Sequence, residues 1–359
     1  MASLSHGSAG PTGATLSPPT SRRAVRGGPI AGLAGLIVLA ALATWFSTRS
    51  GQPPTPTHGS AADPAQLWAW NGSTFSPTPG GDQGPNSTDA DMAFDRGRHV
   101  MVLWDHGCSR LVFGFTGGCQ QRVNSTWTWT AGAWIRQAPR STPAEVRQGV
   151  MVYDSRLGAV LYVNGDGQAW AWTGSDWTPT ARPGLPRVIP PSQPSRLVAS
   201  AFAAGFDEDR GLLVLMQSDR TWSWDGARWT QTPGGIELSE ARPDPHLLYD
   251  NAGHALVYVG SHSTWSWDGV AWSAAPQPQL GPGTAAYDRG RRALVYVETT
   301  IDCDRSNCAT VTWLRDPGGW SALRDLPGPR LSLARSGYFL PPMAYDEGAG
   351  MTMLFASGR

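Results

Sequence analysis

Few residues in this 359-residue chain have the type and spacing that chemistry needs. Asp302-x-Asp304-x-Ser306, with Asn307 beside it, alternates oxygen donors as the start of a calcium loop does. The twelfth position is Trp313, where an acid is needed, and the sixth lacks glycine, so a solvated polar loop is expected there. Asp302 and Asp304 are then ligand contacts without a metal. Arg110, Arg122, Arg305, Arg330 and Arg335 would bind an anionic group if their loops converge. His106, beside Cys108, is a further contact, since one isolated histidine does not build a metal site. Trp104 offers an indole face on which a sugar would stack, provided that face is exposed.

A repeat must position these residues. Sixteen of the eighteen tryptophans fall on one grid: Trp-x-Trp, a short polar turn with glycine, and an aromatic five residues after the second Trp. The copies are Trp68/Trp70/Phe75, Trp127/Trp129/Trp134, Trp170/Trp172/Trp177, Trp222/Trp224/Trp229, Trp265/Trp267/Trp272 and Trp313/Arg315/Trp320. Only Trp45 and Trp104 lie off it. Between copies runs an aromatic-Asp pair, ending at Asp95, Asp154, Asp207, Asp250, Asp288 and Asp346. Four turn residues follow each Asp, then an apolar run. A carboxylate that accepts N–H groups ahead of it closes a tight hairpin. Each unit thus supplies strands A and B around the Asp turn, and strands C and D around the turn after Trp-x-Trp. Four-stranded units repeated at this period are propeller blades. The indole rings recur at one point per blade, so the grid is expected to pack between blades and not to bind ligand.

The first repeated element is a C–D pair and the last is an A–B pair. Six blades result if the two ends share one blade, which also removes two exposed strand edges. Counting the shared blade as blade 1, Asp to first Trp takes fifteen or sixteen residues in blades 3, 4 and 5. The same interval is thirty-two in blade 2 and twenty-five in blade 6. These two long B–C connections hold all the cysteines, Cys108 with Cys119 and Cys303 with Cys308. In an exported chain, one pair per connection implies two local disulfides. A zinc site of four thiolates bridging both is the sharper alternative, and it lacks Cys-x-x-Cys spacing. B–C and D–A connections share one face of a propeller. The two long B–C segments and the D–A segments 178–203 and 321–342 therefore lie together, where binding is expected.

The aromatic-Asp pairs, the apolar B strands and segments such as Trp222-Ser-Trp224-Asp225-Gly226-Ala-Arg-Trp229 resemble those of bacterial Kelch-type propellers. That family is similar to the central domain of galactose oxidase, and the resemblance covers about 66–356. The Gly-Gly pair expected after strand B is largely missing: Val259-Gly260 keeps one glycine, Met216-Gln217 and Val297-Glu298 none. The resemblance implies the fold and leaves the activity open, because this fold carries many functions. A galactose-oxidase-like enzyme would need a copper set of Tyr and His, and the seven histidines here are dispersed. A sialidase-like enzyme would carry Asp-boxes at the C–D turns, where Ser223-Trp-Asp225-Gly226 and Ser266-Trp-Asp268-Gly269 fall one residue short. Glutamates are few, which leaves little for paired-carboxylate chemistry.

The N-terminal part differs in kind. Residues 1–28 are polar and rich in Ser, Pro and Gly, with Arg22, Arg23 and Arg26 at their end. Residues 29–46 carry no charge and reach about 27 Å as a helix, close to a bilayer core. Three arginines before that segment, against Arg49 after it, place the N-terminus in the cytoplasm. Ala41-Leu42-Ala43 offers a small-x-small cleavage site, so a removed signal peptide is the alternative to an uncleaved anchor. Residues 47–65 form a Pro/Ser/Thr-rich linker, and 66–359 the propeller. The formal net charge is zero, every basic side chain is Arg, and no basic stripe for nucleic acid stands out.

The expectation is an all-β, six-bladed Kelch-like propeller behind one transmembrane helix. It is a non-catalytic module of the cell envelope, with the propeller extracytoplasmic, that binds an envelope protein or glycan without a cofactor or a metal. The alternative is a carbohydrate-active enzyme on the same ring.

Overall fold

The structure is a computed structural model that describes residues 65–85, 90–112, 118–144, 149–164, 168–180, 202–217, 220–232, 246–260, 263–299, 311–324 and 340–357, with Ile236, Leu326, Gly328, Pro329 and Leu331. The side chains of 108–122 are not described. The chain divides into Met1–Gly59 and Ser60–Arg359, and every described residue belongs to the second unit. The apolar segment 29–46 lies outside the described residues. Among those described, no helix is long and apolar enough to cross a membrane.

Each hydrophobic run becomes a strand, and the strands assemble into six antiparallel sheets of four. Blade 1 joins β1 (Ala65–Trp70) and β2 (Phe75–Pro77) to the last two strands of the chain, β25 (Met343–Asp346) and β26 (Met351–Ser357). Trp68 sits opposite Leu354 across that junction. Blade 2 holds β3 (Ala90–Asp95), β4 (Val100–Asp105), β7 (Ser125–Thr130) and β8 (Ala133–Arg136), with a separate ribbon of β5 (Cys108–Val112) and β6 (Gly118–Arg122). Blade 3 is β9 (Gly149–Asp154), β10 (Ala159–Asn164), β11 (Ala169–Trp172) and β12 (Trp177–Pro179). Blade 4 is β13 (Phe202–Asp207), β14 (Leu212–Gln217), β15 (Arg220–Trp224) and β16 (Trp229–Thr232). Blade 5 is β17 (His246–Asp250), β18 (Ala255–Val259), β19 (Thr264–Trp267) and β20 (Trp272–Ala275). Blade 6 is β21 (Gly283–Asp288), β22 (Ala293–Glu298), β23 (Thr312–Asp316) and β24 (Gly319–Leu323).

The first strands of successive blades touch in the order β25, β3, β9, β13, β17, β21 and back to β25, so they form the inner wall of a closed ring. Six apolar cores follow, one between each pair of neighbouring blades. Val102 and Trp104 of blade 2 pack with Val160, Tyr162, Trp172 and Trp177 of blade 3, for example. Both faces of the B strands are therefore covered, and the tryptophan grid fills the seams. In the five repeats that have a second Trp, it packs on the third aromatic, with centroids 4.9 Å apart for Trp70–Phe75 and 5.3 Å for Trp172–Trp177.

The turns show why Asp recurs. Asp95 and Asp207 are fully buried, and each Oδ1 accepts the N–H of the residue three ahead. Their Oδ2 atoms receive Nη1 of Arg98 and Arg210 at 2.9 and 3.0 Å. Each arginine then reaches the next blade. Arg98 donates to the Gly158 carbonyl, Arg156 to that of Gly211, Arg210 to that of His254 and Arg291 to that of Gly350. Beneath all four lie glycines of the next blade's C–D turn: Gly174 under Arg98, Gly226 under Arg156, Gly269 under Arg210 and Gly72 under Arg291. Gly226 and Gly269 both have φ +100°, where a side chain is strained, and at Gly269 a Cβ would collide with Arg210. The arginine and the glycine of the next blade thus form one unit.

Candidate functional site: the connection face of the ring

Strands A and C run toward the A–B and C–D turns, and strands B and D run back. All B–C and D–A connections therefore leave on the opposite face, which also receives the chain where β1 begins and releases it where β26 ends. The turn face is uniform: each A–B turn has four residues. The connection face is where blades differ.

Blade 2 differs most. Beyond β4 and β7 the chain continues as the β5–β6 ribbon, its base closed by Val123 N–H donating to the Gly107 carbonyl at 2.8 Å. Arg110 lies opposite Gln121, and Cys108 opposite Arg122. Cys119 lies opposite Leu111, and the sulfur positions are outside the described residues. Asp105, 2% exposed, caps this base by accepting Gly107 N–H at 3.1 Å and lying 3.4 Å from the Ser125 hydroxyl. That hydroxyl receives the Trp127 indole N–H at 2.9 Å. His106 Nε2 is 3.0 Å from Asp91 Oδ2, so the ribbon is pinned to the innermost strand, β3, at the mouth of the channel.

Blade 6 repeats the arrangement. Glu298, at the end of β22, accepts the Trp313 indole N–H at 2.7 Å and the Gly281 N–H at 2.9 Å. Tyr296 OH donates to the Gly281 carbonyl at 2.8 Å. The connection from blade 5 into blade 6 is thereby fixed to the root of the long B–C segment. The matching position at the end of strand B is Asn164, Gln217, Gly260 and Ala356 in the remaining blades. An acid stands there only in the two blades with long connections, a signal that comparing the repeats position by position would have shown.

Trp104 requires a correction. It is not an exposed platform: it is 1% exposed and meets Tyr162 and Trp177 edge-on, at 6.4 and 6.1 Å between centroids. The fifth position of strand B is Val163, Met216, Val259, Val297 and Phe355 in the other blades, all buried. An indole there fills a seam because strand B has no free face. His106 is the expected contact that the described residues place on this face, paired with Asp91, which the sequence reading missed. Arg110 and Arg122 lie on the ribbon with their side chains outside the described set. Asp302, Asp304, Arg305, Arg330, Arg335, Cys303 and Cys308 lie outside the described residues altogether.

On the turn face four charged side chains meet across the axis of the ring. The residue after the turn Asp is Arg96 in blade 2, Glu208 in blade 4, Arg289 in blade 6 and Glu347 in blade 1. Arg96 pairs with Glu208 at 3.0 Å and with Glu347 at 2.8 Å. Arg289 pairs with Glu347 at 3.3 Å and also with Glu208. Blade 4 neighbours neither blade 2 nor blade 6, so the two Glu208 pairs cross the channel, whereas Glu347 of blade 1 pairs with the blades on either side of it. Burial, then the neighbouring Arg96 charge, lowers the pKa of Arg289. On the connection face, burial lowers the His246 imidazole below its ordinary 6.5, and its Nε2 lies 3.1 Å from the Gly283 carbonyl. Among the described residues, no three of His, Cys, Asp and Glu are grouped to hold a metal ion. On the connection face the described residues thus present a ribbon fixed at its base and the His106–Asp91 pair.

No protein-family model matches the chain, and no curated protein does. Solved structures match at a distance. One is a protein of unknown function from Bacteroides thetaiotaomicron, 11% identical over 81% of this chain and 76% of that one, with TM-score 0.44. Another is an auxiliary nutrient binding protein from the same organism, 11% identical over 81% and 76%, with TM-score 0.40. A fucose-specific lectin from Aleuria aurantia is 12% identical over 65% and 76%, with TM-score 0.39. The six-bladed ring is read from the strand pairing itself.

Proposed function

We propose that this chain is a membrane-tethered, extracytoplasmic propeller of Kelch type that binds a cell-envelope glycan or protein and does not catalyse. The observation that supports this most is the contrast between the two faces. The turn face spends its charged groups on one another, while the connection face carries a braced ribbon on blade 2 and a second braced root on blade 6. A rigid ring presenting one elaborated face is suited to recognition. The uncharged segment 29–46 and the arginines before it support a single-pass anchor with a cytoplasmic N-terminus.

The test is co-sedimentation of the detergent-solubilised full chain with purified cell-wall glycan, beside chemical crosslinking to envelope proteins through a label on the ribbon. Retention or crosslinking that disappears when 108–122 is replaced by a short Gly/Ser turn supports the reading. A pH-dependent turnover that is lost in His106→Ala would replace it with an enzyme.

A further inference from the structure

The arginine bridges do not run all the way round. Arg98, Arg156 and Arg210 join blades 2 to 3, 3 to 4 and 4 to 5, and Arg291 joins blade 6 to blade 1. In blade 5 the turn reads Asn251-Ala252-Gly253, and in blade 1 Glu347-Gly348-Ala349, so the seams between blades 5 and 6 and between blades 1 and 2 lack the bridge. The facing C–D glycines agree. Gly132 of blade 2 and Gly319 of blade 6 have nothing within 4 Å of an added Cβ, whereas Gly72, Gly174, Gly226 and Gly269 each meet an arginine. Seam 5–6 carries instead a longer pair from the opposite side, Arg315 to Asp250 at 3.8 Å. Seam 1–2 carries the Trp134 indole N–H on the Gly81 carbonyl at 3.1 Å. At its turn face the ring is therefore two bridged segments, blades 2–5 and blades 6–1.

The charged quartet crosses both breaks. Arg96–Glu208 lies within the longer segment and Arg289–Glu347 within the shorter. Arg96–Glu347 and Arg289–Glu208 run from one segment to the other. We propose that Arg96, Glu208, Arg289 and Glu347 form an ionic lock across the channel that couples the two segments and sets how far the seams 1–2 and 5–6 open. The four side chains are 22–30% exposed, so water and salt reach them, and the lock weakens as ionic strength rises. Arg96 and Arg289 stand in the A–B turns of blades 2 and 6, and the B strands that leave those turns, β4 and β22, lead to the long B–C connections on the other face. Breathing at these seams thus moves the two braced roots relative to each other.

Amide hydrogen exchange on the full chain tests this. Glu347→Gln is expected to speed exchange of the protected amides in β3, β25, β17 and β21 by about tenfold, with β9 and β13 changed less than about twofold. Inverting all four charges together (Arg96→Glu, Glu208→Arg, Arg289→Glu, Glu347→Arg) keeps the alternation and is expected to restore protection at those seams. Raising NaCl on the unmodified chain should act on the same four strands, which covers the case of a variant that fails to fold. Acceleration spread evenly over all six seams, or none at either salt or in Glu347→Gln, would overturn the lock.

Discussion

Trp104 and His246 show what single side chains contribute. Trp104→Ala removes an indole from the seam between blades 2 and 3 and should cost about 3–5 kcal/mol of unfolding free energy, measured by denaturant unfolding; a loss under about 1 kcal/mol would fit an exposed ring and contradict the packing. Burial disfavours the charged form of His246 where it packs against Gly283 and lowers its pKa from 6.5. The unfolded chain then binds the extra proton first. This contribution is complete above the unfolded value and is lost as pH falls from about 6.5 through the lowered folded value. His246→Gln does not titrate. The stability gap between wild type and this variant should therefore shrink from pH 7 to pH 5, by at most about 1.4 kcal/mol per unit. A gap that stays constant would contradict the account. His106 stands out in the sequence for its place beside Cys108, and the structure pairs it with Asp91. That partner was not legible, because pairing across twelve or more residues depends on how strand A meets the end of strand B.

At the scale of the element, the Asp turn, the C–D glycine and the arginine are readable as a local pattern, but their joint role appears only once blades are set side by side. Gly269→Ala and Gly319→Ala both place alanine at a strongly positive φ, which costs about 1 kcal/mol or more. Only Gly269→Ala also displaces an arginine, so it should be the more destabilising by about 1 kcal/mol, the worth of a typical hydrogen bond, in the same unfolding assay. Equal effects would mean that the Arg210 bridge contributes nothing. The hairpins, the tryptophan seams and the strand order were legible because side chains alternate with period two and the spacing after each Asp never changes. Arg315, standing where the grid has Trp, was legible only as a departure. The structure gives its reason: it faces Asp250 of blade 5, in a turn without an arginine of its own. Trp104 lies off the grid and is nonetheless buried, because strand B is covered on both faces.

The described residues form a ring whose two faces are built differently. One is closed on itself by turn carboxylates, arginine bridges and the quartet; the other carries the ribbon, both braced roots and the point where the chain enters. The ring's stability resides in six seams, so trimming the ribbon should shift the melting temperature by no more than about 2 °C, about 1 kcal/mol for a domain of this size. The most direct measurement is binding of the ribbon-trimmed chain, with 108–122 replaced, to the glycan or crosslinked envelope partner of the unmodified chain. Loss of binding by at least about tenfold (about 1.4 kcal/mol) with an unchanged melting temperature is the predicted result. Undiminished binding by a trimmed and fully folded ring would contradict the assignment of recognition to the connection face.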